Sequence, residues 1–378
     1  MIGELYSDAI VASDPDGDVV DVRVSDGPIG FSPTVNSRGT ITGFDWRPNE
    51  PGEWYVQVTA TDPDGLPSTA TLRLVGRAAR STPLVLAMGD SIAAGFGRDR
   101  TDFFGTDDCF RSESDAYATL TTKALKNVGA LSEDSRVLLV GCANTTLALL
   151  DTQAVPATTA SGDRWGEERT QMAWATSLNP TIITLTVGGE DGWFYDVERL
   201  FVPEPGSGEA RRVEENVLAT AHEEVRIGLE EILDELLTTT DAHIAITTYY
   251  DPTASVPVGV DGCEAECFVA AMASVVSGLN DAIVGAANVV STERISIVNL
   301  EGANDVWEAS NGAGPDFVRD GLGPLQGIVD RFTGGSSAAC ADEGRPPTDL
   351  VSSLDCLHPN SKGHAKIAER VTSVLLSI

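Results

Sequence analysis

Lysine is nearly absent from this 378-residue chain. Four lysines, at positions 123, 126, 362 and 366, stand against 57 acidic residues, and the formal net charge is -32. Such a field repels phosphate backbones, so nucleic-acid binding is disfavoured, as is docking on anionic lipid. An acid-rich, lysine-poor surface suits salty surroundings, where screening weakens its self-repulsion, although a high-GC genome also favours Arg over Lys. Histidine is as scarce, with four residues, and no CxxC pair occurs. Together these absences argue against structural zinc. No run approaches the roughly 20 apolar residues of a membrane span. The start, Met1 to Leu5, has neither a basic nor an apolar stretch, so no signal peptide is expected in the chain.

What is present supports a packed core. Hydrophobic residues make up 42% of the chain, and 37 Gly and 19 Pro imply many turns. The length suits one large domain with an accessory module. The six cysteines, Cys109, Cys142, Cys263, Cys267, Cys340 and Cys356, are an even number. Disulfides, and hence an exported protein, are a better reading than unrelated buried thiols.

Residues 1–77 differ from the rest. Val19 to Val24, Trp54 to Ala60 and Thr69 to Leu74 alternate at about period two, and Asp-Pro-Asp-Gly turns at 14–17 and 62–65 punctuate them. A small antiparallel sandwich follows from this pattern. Through "VTATDPDG" the segment resembles immunoglobulin-like or cadherin-like modules of bacterial exported proteins, which implies contact with a surface or polymer, or a spacer role. Asp14, Asp16, Asp18, Asp62 and Asp64 offer hard oxygen ligands for calcium. No complete EF-hand loop surrounds them, and solvated turn residues are the expectation.

A linker is expected over 78–82, and from 83 to 378 the grammar changes. Strands are expected at Pro83 to Met88, Arg136 to Val140, Thr181 to Val187, His243 to Thr247 and Ile295 to Leu300. Helices are expected at Asp115 to Val128, Glu167 to Ser177, Glu214 to Leu237, Phe268 to Val290 and Ser361 to Leu376. Strands alternating with helices mean an α/β fold with a mostly parallel, doubly covered sheet, whose ligands sit at the carboxyl ends of the strands.

Ser91 lies directly after the first of these strands. There its hydroxyl is exposed beside unpaired backbone N–H groups that stabilise an oxyanion, although a plain N-cap serine fits the same position. A serine nucleophile needs an imidazole to take its proton and an acceptor to hold that ring's tautomer. Asp355-Cys356-Leu357-His358 supplies both, with Asp355 three residues before His358. Of the other histidines, His222 lies mid-helix among glutamates and reads as a solvated surface residue. His243 reads as structural, and His364 as capping or packing its helix.

At these residues the chain resembles the SGNH, or GDSL, hydrolases. The first block is "GDSIAAG" at 89–95, the third "TLTVGGEDGWF" at 184–194, and the last "DCLHPNSKGH" at 355–364. The resemblance covers 83–378. It implies a flavodoxin-like three-layer α/β fold and a serine esterase or lipase. Ser91 is then the nucleophile, His358 the base and Asp355 its orienting carboxylate, with no metal or organic cofactor. Substrates implied are small-molecule, lipid or polymeric esters. Polysaccharide deacetylation and phospholipid cleavage use the same machinery, and a decayed, non-catalytic binding protein is the alternative from another class. The likeness is closest to the secreted actinobacterial branch, which carries three disulfides. By it Cys109 pairs with Cys142, Cys263 with Cys267, and Cys340 with Cys356.

Two positions depart from the family. Its second block supplies a Gly whose backbone N–H faces the oxyanion, and here Asn144 stands at or next to that Gly. Its third block supplies an Asn whose side chain completes the oxyanion hole, and here the residue is Glu190. An ionised carboxylate cannot donate, and its charge repels the tetrahedral intermediate. Three accounts stay open: Glu190 protonated beside Asp191, Glu190 swung away with Asn144 donating, or a weak enzyme. Trp193, Phe194 and Tyr195 follow, placed either to wall a pocket or to pack.

Overall fold

The computed structural model describes residues 5–13, 20–24, 27–37, 40–49, 52–76, 83–96, 109, 111–112, 114–192, 201–203, 211–213, 215–251, 263–290, 292–301, 359 and 361–378. The chain forms two compact units, the first built on residues 1–81 and the second on the bulk of 82–378. The expected linker at 78–82 lies outside the described residues.

The described residues of the first unit hold six strands in chain order: β1 (Tyr6–Ala9), β2 (Asp21–Val24), β3 (Phe31–Val35), β4 (Ile41–Trp46), β5 (Gly52–Thr61) and β6 (Pro67–Gly76). They form two antiparallel sheets, β1-β4-β3 and β2-β5-β6. Phe44 and Trp46 of β4 meet Val56 of β5 and Leu74 of β6 in a core from which water is excluded. Period-two alternation in β5 and β6 sends one face to this core, as the sequence pattern required. Strands β1, β3 and β4 add to the three expected from the sequence, and Pro33 interrupts the period-two pattern of β3. At the β5–β6 hairpin the Asp62 carboxylate accepts the Leu66 N–H at 2.8 Å, so this aspartate works as a turn residue. The candidate calcium ligands Asp14, Asp16 and Asp18 lie outside the described residues.

The second unit opens with β7 (Leu84–Gly89), α1 (Tyr117–Asn127), β8 (Arg136–Leu139), α2 (Leu147–Thr152), β9 (Val155–Thr159), β10 (Arg164–Arg169), α3 (Gln171–Leu178) and β11 (Ile182–Thr186). A short ribbon, β12 (Phe201–Pro203) with β13 (Arg211–Val213), is followed by α4 (Glu215–Thr239), β14 (His243–Thr247), α5 (Cys263–Val290), β15 (Ile295–Val298) and α6 (Ser361–Leu375). The main sheet runs β10-β9-β8-β7-β11-β14-β15. Its five strands from β8 to β15 are parallel, and β9 and β10 add an antiparallel edge. Counting the parallel strands in chain order gives 2-1-3-4-5, the flavodoxin-like order, whose switch point lies between the first and third strands. Those are β7 and β11. All five residues of β11 are buried, as a central parallel strand covered on both faces requires. Helices α1 and α6 pack on each other, α1 over β7 and β8 and α6 over β14 and β15. Helices α4 and α5 meet where Gly278 and Gly285 of α5 come close to His222 and Arg226 of α4.

One expected helix is corrected. Glu167 to Arg169 belong to β10, and the helix starts at Gln171. Thr170 decides this boundary: its hydroxyl accepts the Ala173 N–H at 3.1 Å and so caps α3. A second correction concerns His222, which is 8% exposed rather than on the surface. Gly278 makes the room, since a Cβ there would lie 2.2 Å from the His222 ring.

Candidate active site

The nucleophile turn is built on Gly89. This residue ends β7 with φ 123°, and a side chain there would meet the Thr186 carbonyl of β11 at 1.8 Å. Without a Cβ, β7 and β11 stay paired to their ends, and the Asp90 N–H still reaches the Thr186 carbonyl at 2.8 Å. The Gln171 side chain accepts the Gly89 N–H at 2.7 Å and donates to the Gly89 carbonyl at 3.0 Å. The Cys142 N–H donates to that same carbonyl at 3.0 Å, which brings the second block to the first.

Residues 91–95 then form a helical turn, with the Ala94 N–H on the Asp90 carbonyl at 2.9 Å and the Phe96 N–H on the Ser91 carbonyl at 2.9 Å. Ser91 heads this turn and is 3% exposed. It therefore sits past the carboxyl end of β7, on one side of the switch point.

Asp90 is fully buried. One of its oxygens accepts the Ile92 N–H at 2.9 Å, and the other accepts the Tyr249 hydroxyl. Burial pushes its carboxyl up to about 7, against these hydrogen bonds, which favour the ionised form, and the charge of Asp191 adds to the rise. The Tyr249 oxygen in turn accepts the Gly189 N–H at 2.9 Å.

Across the switch point, residues 188–192 follow β11. Glu190 is half-buried there. The Asp191 carboxylate accepts the Leu147 N–H at 3.0 Å, capping α2 and joining the third block to the second. Burial raises the Asp191 carboxyl above its usual range. Asn144, exposed in the turn before α2, has φ 61°. Asn is among the few residues besides Gly that occupy this left-handed region readily. Arg111, 1% exposed, donates to the carbonyls of Gly141, Val140 and Pro156, and the Cys109–Cys142 disulfide closes beside it. Of the expected disulfides this is the one among the described residues. Cys263 and Cys267 begin α5, their side chains undescribed, and Cys340 and Cys356 lie outside the described set.

His358 and Asp355 also lie outside the described residues, as do Trp193, Phe194 and Tyr195. Of the residues that follow, Pro359 is described and buried, and α6 comes next. His364 in the first turns of α6 is fully buried, with Nε2 3.2 Å from the Phe96 carbonyl and its ring stacked over Tyr117. The residues that sequence reasoning passed over are Gln171, Arg111 and Tyr249. For Tyr249 a signal existed: it lies two residues past a legible strand, at the end where such sheets bind ligands.

An order of 2-1-3-4-5, with a buried Gly-Asp-Ser turn at its switch point, defines a flavodoxin-like α/β protein with a candidate site between β7 and β11. The GDSL-like lipase/acylhydrolase family model matches residues 85–371, and the chain belongs to this family. No curated protein sequence matches it. Among solved structures it is similar to an extracellular lipase from Streptomyces rimosus, with 15% identity over 76% of this chain and 98% of that one and a TM-score of 0.45. A phospholipase A1 from Streptomyces albidoflavus NA297 matches with 18% identity over 78% of this chain and 100% of that one, at a TM-score of 0.45. A family two carbohydrate esterase from Clostridium thermocellum matches with 11% identity over 89% of this chain and 74% of that one, at 0.30.

Proposed function

We propose that the chain is a serine esterase that cleaves carboxylic esters through an acyl-enzyme. Ser91 Oγ attacks the carbonyl carbon while His358 takes its proton. The protonated ring passes that proton to the leaving oxygen, which departs as the alcohol. Water, deprotonated by the same imidazole, then attacks the acyl carbonyl and releases the acid and free Ser91. Asp355 accepts the other ring N–H and stabilises the imidazolium.

The observation that carries this reading is the tie between the last helix and the nucleophile turn. His364 reaches the Phe96 carbonyl, and the Phe96 N–H is bonded to the Ser91 carbonyl. His358 precedes Ser361 by three residues, a reach of at most about 11 Å of extended chain. Helix α6, which begins three residues after His358 in the sequence, is thus tied to the serine's own turn.

Asn144 supports the oxyanion part of the reading. At φ 61° it holds a left-handed backbone shape that Gly adopts freely, and in this reading its main-chain N–H serves in place of the family glycine's. There it meets the developing negative charge. The net charge of -32 favours uncharged esters over anionic lipid surfaces. The Cys109–Cys142 disulfide supports an oxidising, extracellular setting.

Replacing Ser91 by Ala is expected to remove hydrolysis of p-nitrophenyl butyrate, a loss of at least about 10³-fold in kcat, with the circular dichroism spectrum unchanged. Parental turnover in the purified variant contradicts the assignment.

A further inference from the structure

We propose, resting on the esterase reading above, that Tyr249 is a positioning residue: its hydroxyl locks the turn that carries Ser91 to the turn that carries Glu190. The two turns leave the sheet from different strands, β7 and β11. Sheet pairing holds them together as far as Asp90 N–H on the Thr186 carbonyl. Past that point the Tyr249 hydroxyl bridges them, donating to Asp90 Oδ2 and accepting from Gly189 N–H. Asp90 is the residue before the nucleophile, and Gly189 the residue before the family's oxyanion position. One oxygen atom therefore sets how far apart the attacking group and the oxyanion side stand.

The hydroxyl is held in place from a third direction. Tyr249 is fully buried, just past β14, and its backbone is clamped by Asn280 of α5. The Asn280 side chain accepts the Tyr249 N–H at 2.7 Å and donates to the Tyr249 carbonyl at 2.8 Å. Gly189 shows how closely the ring is approached, since a Cβ there would lie 2.9 Å from the Tyr249 oxygen. The groups that face Asp90 are Tyr249 and Tyr250 after β14, Tyr117 of α1 and Asp191 after β11. In this setting a hydroxyl donor to a buried carboxylate is a strong, directional tie. A packing residue would be served as well by Phe. The hydroxyl is needed because it bonds both turns at once.

Misplacing reacting groups lowers the rate of the chemical step more than it lowers ground-state binding. The test compares parent, Ser91→Ala and Tyr249→Phe on p-nitrophenyl butyrate, with fluorophosphonate labelling rates of parent and Tyr249→Phe. Tyr249→Phe is expected to lower kcat by at least about 10-fold, to leave KM within about three-fold, and to slow labelling of Ser91 in parallel. Gly189→Ala keeps the hydroxyl but crowds it, and is expected to move the same constants in the same direction. Combined with Tyr249→Phe it should cost little more than the larger single effect, because both act on one tie. A folded Tyr249→Phe with parental kcat and labelling rate overturns the proposal. If that variant does not fold, parental kcat in Gly189→Ala overturns it. A Ser91→Ala variant that still turns over at the parental rate overturns the esterase reading itself, and is distinguishable from either result.

Discussion

Glu190 stands where the resemblance puts the family's amide, and on the proposed reading the burden of meeting the oxyanion passes to the main chain. Asn144 at φ 61° is the position where this can be tested. Asn144→Gly removes the side chain and keeps the backbone shape, so kcat should stay within about three-fold of the parent. Asn144→Ala keeps a β-carbon in the left-handed region but loses the side-chain amide that lets Asn tolerate it, at a cost of up to about 1–2 kcal/mol, and should be the worse of the two. If the side-chain amide were the donor, both variants would lose about 10²–10³ in kcat alike. Steady-state kinetics of the pair separates the two outcomes. Asp90 makes a prediction of a different kind. Its carboxyl lies at about 7 in the fold against an ordinary 3.8, so folding favours the protonated form. Stability from this group is fully present below about pH 4 and is lost as pH rises through 7. The urea midpoint of the parent should therefore fall over that range more steeply than that of Asp90→Asn. A flat difference between the two profiles contradicts the burial of a carboxylate here.

At the scale of elements, the parallel strands were legible because each is a short apolar run bounded by turns. The long helices α4 and α5 were legible because their apolar positions recur at a helical period. The antiparallel edge was not. β10 is exposed along its whole length and carries Arg, Glu and Gly, so no burial pattern marks it, and its last residues ran into the helix that Thr170 in fact caps. His222 was misjudged for a related reason. Its neighbours Glu223 and Glu224 are exposed, but the missing side chain of Gly278, on a helix 50 or so residues away, decides its burial. Within the site, the Gly-Asp-Ser turn and the Gly-Gly-Glu-Asp turn could be found as motifs. The contacts that join them could not, because Gln171, Arg111 and Tyr249 act through partners about 30 to 160 residues away in the chain. Their sequence surroundings carry no trace of those partners.

For the whole molecule, the sheet order decides where chemistry happens. A 2-1-3-4-5 sheet opens a crevice between its first and third strands, and several fully buried polar residues gather there. Asp90, Thr186, Gln171 and Tyr249 are all 0% exposed, and every one is bonded within this end of the sheet. The two-sheet first unit has its own core of Phe44, Trp46, Val56 and Leu74 and shares none of these residues. The central claim is that this end of the sheet activates one serine. A fluorophosphonate reagent reacts with a serine hydroxyl when a base and oxyanion donors serve it, and passes over ordinary serines. After labelling of the full chain and mass mapping of its peptides, the modification should lie on Ser91, and His358→Ala should remove it. A folded, unlabelled parent, or a label on a serine other than Ser91, contradicts the claim.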